Sequence, residues 1–197
     1  GYAVNLAGEG HVACYNYCSD MWDVMNVFTN SLADPALGQQ SRAIDFYNND
    51  IINATDNFIE ADGGYANIRV LRNRCFNSMA TPLSYQPIFV GPVYWLRNVV
   101  YNAAGGAQSF KACGAQVMVA LHNTFTGHWA AYEWTEFADV RNNAFIGPGR
   151  PVGPKDRDRP VLKTGFRHPA GTMDYNAHRV GLTGADKPFV LKLGGRT

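Results

Sequence analysis

Apolar residues recur along this chain in a fixed phase with asparagine. The unit is an apolar residue, a spacer, a second apolar residue, two variable positions, Asn, a spacer, and a further apolar or thiol residue. Successive copies read HVACYNYC, IDFYNNDI, IRVLRNRC, VYWLRNVV, MVALHNTF and ADVRNNAF, followed by a faded copy around MDYN. The aligned asparagines are Asn16, Asn49, Asn73, Asn98, Asn123, Asn143 and Asn176, separated by 33, 24, 25, 25, 20 and 33 residues. Such spacing is that of a solenoid, in which one period of sequence becomes one step of stacking.

The columns of the alignment carry the element assignments. Five before the Asn stand His11, Ile44, Ile68, Val93, Met118 and Ala138, and three before it stand Ala13, Phe46, Val70, Trp95, Ala120 and Val140. That period of two predicts a strand with one buried face. Two after the Asn stand Cys18, Ile51, Cys75, Val100, Phe125 and Phe145, which predicts a second strand. The step from the earlier column to the Asn is odd, so one additional residue must be spent turning a corner. Asn suits that corner, because it tolerates left-handed backbone angles and its amide both donates and accepts.

Stacked at the strand spacing of about 4.8 Å, such amides would bond to the copies above and below them. On this motif the chain resembles right-handed parallel β-helices of the pectate-lyase-like superfamily, over roughly residues 10 to 180. The resemblance implies an all-β solenoid of about seven coils with an internal Asn ladder, a rod near 35 Å long by the strand spacing. It also implies an extracellular or periplasmic protein that handles polysaccharide.

Composition narrows the classes. The 197 residues are 46% hydrophobic, enough for one sizeable core, so a single domain spanning 1–197 is expected. A net charge of +1 lacks the basic excess of a nucleic-acid binder. No apolar run reaches the length of a membrane span. The chain opens GYAVNL without Met or a signal peptide and runs directly into the first copy, which suggests an excised domain or a fragment. Pro- and Gly-bearing excursions are expected at 31–40 and 147–160, with the mixed charges of 155–159 read as a solvated loop. The four cysteines form no C-x-x-C motif, and Cys18 and Cys75 fall two coils apart, so all four are read as buried thiols.

In β-helix enzymes that the chain resembles, substrate lies across successive coils on an outer sheet face. The segments FIEADGG and SFKACG align Glu60 with Lys111, with Gln86 or Ser84 between them, Asp23 on the first coil and Glu133 beyond. One use of this polar stripe is β-elimination on a uronic-acid glycan. Lys111, or an arginine such as Arg72 or Arg97, would be the base, and Asp23, Glu60 and Asp62 could hold Ca²⁺. A second use is glycoside hydrolysis by Asp23 and Glu60, at roughly the separation of a retaining pair. A third is binding without catalysis, through Trp22, Tyr85, Tyr94, Trp129, Tyr132 and Trp134 as platforms for sugar rings; a purely structural or adhesive role also stays open. Trp95 falls in the inward column and is assigned to the core. Arg72, Arg97 and His122 each precede a ladder Asn and form an outer basic ridge or a solvated edge. His11 is read as a packed or cap-facing residue, and the Asp62 turn as ordinary Asp-Gly chemistry.

Overall fold

The period-two segments become parallel strands, each too short to bury its apolar face alone and each covered by the next copy. The structure, a computed structural model, describes residues 1–27, 41–103, 108–112, 114–126, 128–131, 135–146, 162–166, 170–179 and 189–193. All of its paired strands run parallel to their neighbours, in three sheets that the chain visits in rotation. The first sheet is built from the segments before each asparagine: Val12–Cys14, Arg42–Tyr47, Ala66–Leu71, Val93–Leu96, Val117–Leu121, Phe137–Arg141 and Thr172–Asp174. The second takes the segments after it, from Tyr17–Met21 through Arg74–Ser78 and Val99–Ala103 to Ala177–Arg179. The third stacks Val4–Leu6, Met25–Val27, Ile59–Glu60, Leu83–Tyr85, Gln108–Ala112, His128–Ala131, Leu162–Phe166 and Phe189–Leu193. The result is a parallel β-helix-like, repeat-built, all-β architecture.

Register follows the sequence columns. Phe46, Val70, Trp95, Ala120 and Val140 are successive lateral partners and all are buried. The column after the asparagine contributes Ile51, Cys75, Val100, Phe125 and Phe145, all fully buried, with the last two rings stacked at 5.7 Å. Burying each large apolar side chain in this way contributes about 1.5–3 kcal/mol before the entropy of ordering the chain is counted.

At the bend between the first two sheets, every asparagine amide reaches the next one. Asn16 donates to Asn49 at 2.9 Å, Asn49 to Asn73 at 2.9 Å, Asn73 to Asn98 at 3.1 Å and Asn98 to Asn123 at 3.0 Å. The series continues from Asn123 to Asn143 at 2.9 Å and to Asn176 at 3.0 Å. The remaining amide hydrogen goes to a main-chain carbonyl, as from Asn123 to Trp95 at 2.7 Å. The left-handed residue at this corner is not the asparagine itself but the one before it. Tyr15, Asn48, Arg72, Arg97, His122, Asn142 and Tyr175 all have φ between 52° and 59°. The pivot residue turns its side chain outward, which leaves the following Asn free to project inward and stack.

Several expectations are corrected here. His11 is exposed rather than packed, its ring bonded to the Ala7 carbonyl at 2.9 Å. Cys75 is buried, but Cys14 and Cys18 are only half-buried, because the stack ends beside them. Cys113, the excursion at 147–160 and the loop at 31–40 lie outside the described residues. Among the described residues no helix is long and apolar enough to cross a membrane.

Candidate functional site: three polar features on the coil exterior

The third sheet carries the polar stripe, shifted by one residue choice on the first coil. Lateral pairing sets Asn26 beside Glu60, Glu60 beside Ser84, and Ser84 beside Lys111. Asn26 donates to Glu60 Oε2 at 2.7 Å. Ser84 donates to Asp62 Oδ1 at 2.9 Å, and Gln86 donates to Asp62 Oδ2 at 3.1 Å. Asp62 follows the strand Ile59–Glu60, so its carboxylate reaches the next coil instead of serving only its own turn. Asn26, Asp62 and Ser84 are buried, whereas Glu60 and Gln86 are half-buried and remain reachable. Tyr2 stands at the same end; its hydroxyl pKa is raised by burial and by the nearby Asp23 and Glu60 carboxylates.

Asp23 does not join the row. It sits at the bend before Met25–Val27, buried, and accepts both the backbone and side-chain N–H of Asn57 at 3.1 Å. One residue, Val24, separates it from the strand, and Asn26 takes the register position beside Glu60. Tyr85, expected to be a sugar platform, is fully buried because it alternates inward with Leu83. Its hydroxyl meets Met118 Sδ at 3.0 Å and Thr135 Oγ1 at 3.2 Å. Tyr132, Glu133 and Trp134 lie outside the described residues. The three carboxylates expected to hold Ca²⁺ have separate partners, and among the described residues no group of three or more His, Cys, Asp or Glu side chains could hold a metal ion. A carboxylate cage for Ca²⁺ therefore does not fit the arrangement.

A second polar row runs along another corner of the coils. Asp20, Asn53, Asn77 and Asn102 each lie four residues after an asparagine of the corner column, and each has φ between 56° and 64°. Their side chains bond coil to coil, from Asn53 to Asp20 at 3.1 Å, from Asn77 to Asn53 at 3.1 Å, and from Asn102 to Asn77. This exposed amide row lines a groove of about 500 Å³ together with Trp22, Thr55 and Met79. Trp22 is 58% exposed, so its ring is available to a ligand. The plus-four recurrence was the signal in the sequence, hidden behind the stronger asparagine column.

The third feature lies along the corner between the first two sheets. Leu71, Leu96 and Leu121 are successive lateral partners, half-buried on the outside. With Tyr47, they line a groove of about 440 Å³ edged by Arg72, Arg97 and His122. Elsewhere arginines are matched across or along strands: Arg42 with Glu9 at 2.8 Å, Arg74 with Asp50 at 2.6 Å, Arg141 with Asp139 at 2.6 Å, and Arg69 with Asp45. Among the described residues Arg72 and Arg97 meet no carboxylate, and both are exposed.

Fold and surface together define a parallel, β-helix-like repeat protein with rows of like side chains at one-coil intervals. Comparison of the chain with protein-family models, curated proteins and solved structures gives no match.

Proposed function

We propose that this chain is a right-handed parallel β-helix of about seven coils, with an internal Asn ladder, of the pectate-lyase-like kind, and that it is secreted to act on a uronic-acid-containing polysaccharide. The single observation that carries the reading is the lateral register Asn26, Glu60, Ser84 and Lys111, four polar residues at one strand spacing, with the half-buried Glu60 and Gln86 on either side of Asp62's hydrogen bonds. Glu60 and Gln86 are the reachable members, and polar groups on successive coils about 4.8 Å apart suit a linear glycan crossing the coils. In the elimination reading, a base removes the proton at C5 of the uronate. The C4–oxygen bond breaks as the new double bond forms, and the departing oxygen takes a proton. Glu60 is the reachable carboxylate and Lys111 holds the register position of the cation or base.

The test is turnover on a panel of uronans, followed by the ultraviolet absorbance of the unsaturated product. The wild-type chain is expected to form product and Lys111→Ala to lose it, with Glu60→Gln reduced by at least tenfold, the scale on which positioned acid–base groups act. Product formation undiminished in both variants would remove the row from the chemistry.

A second reading, carbohydrate binding without catalysis, is supported by the exposed Trp22 beside the amide row. An aromatic face edged by asparagine amides and the Asp20 carboxylate suits a sugar that carries no negative charge. Retardation of the protein by neutral glycans, abolished in Trp22→Ala without any product from uronans, selects this reading.

A further inference from the structure

The corner groove differs from the stripe in kind. Its floor is aliphatic, its rim is cationic, and none of its lining residues is acidic. Arg72, Arg97 and His122 occupy the same pivot position in three consecutive coils, all left-handed, with φ of 53°, 57° and 59°. A left-handed non-glycine residue costs conformational energy, and Asn or Gly meets that need most readily. The pivots Asn48 and Asn142 follow this preference, whereas the three between them carry long or ionisable side chains instead. The geometry of the bend does not require guanidinium groups. Ion pairing within the protein does not account for them either, since Arg42, Arg69, Arg74 and Arg141 have carboxylate partners and these two have none among the described residues.

We infer that this groove binds a linear polyuronate running along the stacking direction, with its carboxylates against Arg72, Arg97 and His122 and the C–H faces of its rings on Leu71, Leu96 and Leu121. The inference rests on the polysaccharide reading above and adds a second binding surface, on a different corner from the Glu60 row. Charge complementarity selects an anion, and the repetition selects a polymer, because a single carboxylate would use only one end of the cationic edge. Spacing separates polymer classes. The pivots recur at the strand spacing of about 4.8 Å, whereas alternate side chains of an extended acidic peptide recur at about 6.7 Å, so a peptide falls out of step within two coils. A uronan carries one carboxylate on every ring and can turn the C–H faces of its rings toward the leucines, which an acidic peptide lacks. Tyr47, whose ring meets Tyr15 edge-to-face at 5.7 Å, closes one end of the groove with an aromatic surface.

The experiment compares the wild-type chain with the double variant Arg72→Asn, Arg97→Asn. Asn is the residue that neighbouring pivots already carry, so the charge is removed without straining the bend. Circular dichroism and the unfolding midpoint establish that the double variant keeps the fold. Probes are polygalacturonate, its fully methyl-esterified form and poly-glutamate, each titrated calorimetrically at low ionic strength. The expected result is binding of polygalacturonate by the wild type, weakened about tenfold or more in the double variant, in line with losing charge-assisted hydrogen bonds. The methyl ester and poly-glutamate should bind much more weakly than polygalacturonate to the wild type. Unchanged affinity in the double variant overturns the inference, as does equal affinity for poly-glutamate. If the wild type cleaves uronans while the double variant binds and turns over normally, only the corner site falls. If the wild type neither cleaves nor binds any uronan, both the corner and the polysaccharide reading fall.

Discussion

Asn98 and Asn123, 25 residues apart in sequence, are joined by two hydrogen bonds to a single oxygen: the backbone N–H and the side-chain amide of Asn98 both donate to Asn123 Oδ1, at 2.9 and 3.0 Å. Asn98 is fully buried, and its own Oδ1 accepts the same pair of bonds from Asn73 at 3.0 and 3.1 Å. Asn98→Ala therefore strands two donors of Asn73 and removes the amide bond to the Val70 carbonyl, while Asn123 Oδ1 keeps only the backbone N–H. The expected loss is on the order of 3–5 kcal/mol, read as a lowered urea midpoint. A loss below about 1 kcal/mol would show that the column ornaments the bend without holding it.

Tyr85→Phe separates structure from recognition. The variant keeps the ring stack on Trp95 at 6.3 Å and loses the hydroxyl contacts to Met118 and Thr135. It should lower stability by about 1–2 kcal/mol and leave glycan retardation unchanged. Altered retardation at equal stability would return Tyr85 to the binding surface.

Gly91→Ala tests a close approach. Gly91 has φ of 88°, and an added Cβ would lie 2.8 Å from the Val117 carbonyl oxygen, a backbone atom that cannot swing away. Strain and collision together should cost more than about 1 kcal/mol, measured by the same unfolding titration. A neutral result would mean that the neighbouring strands separate freely at this point.

Cys75 should resist thiol reagents in the folded protein. Its side chain is fully buried in the second sheet, and burial pushes its pKa far above that of a free thiol, with a further contribution from Asp50. Labelling at mildly alkaline pH, located by peptide mass, should spare Cys75 until denaturant is added. Modification of Cys75 at the same rate before and after denaturation would contradict the packed interior.

Asp139 predicts part of the acid response. Hydrogen bonds from Arg141 hold its carboxyl below the usual carboxylate range, against the upward push of burial, with further help from the Thr172 hydroxyl. A folded value below the unfolded one means that the unfolded chain takes up this proton first as pH falls. The contribution to stability is thus fully present above about pH 4 and is lost as pH drops through the folded value. Urea midpoints followed into this range should fall less steeply for Asp139→Asn than for the wild type. Parallel acid limbs would show that this carboxylate is not the group responsible.

The alternation around each asparagine determined the strands, the buried columns and which amides would meet, because a repeat that hides one face must be covered by its own next copy. The left-handed pivot was legible only to within one residue, since the pattern counts residues per corner and does not say which of them turns. The surface depended on lateral register. Nothing in the local pattern distinguishes Asp23 from Asn26 as the neighbour of Glu60, or shows that Asp62 reaches Ser84. Likewise, inward and outward positions look alike where polar and aromatic residues mix, so Tyr85 read as a platform until Leu83 beside it set the phase. Hydrogen bonding between coils chooses one register among several that the sequence allows, and that choice also leaves Arg72 and Arg97 beside leucines with no carboxylate partner among the described residues.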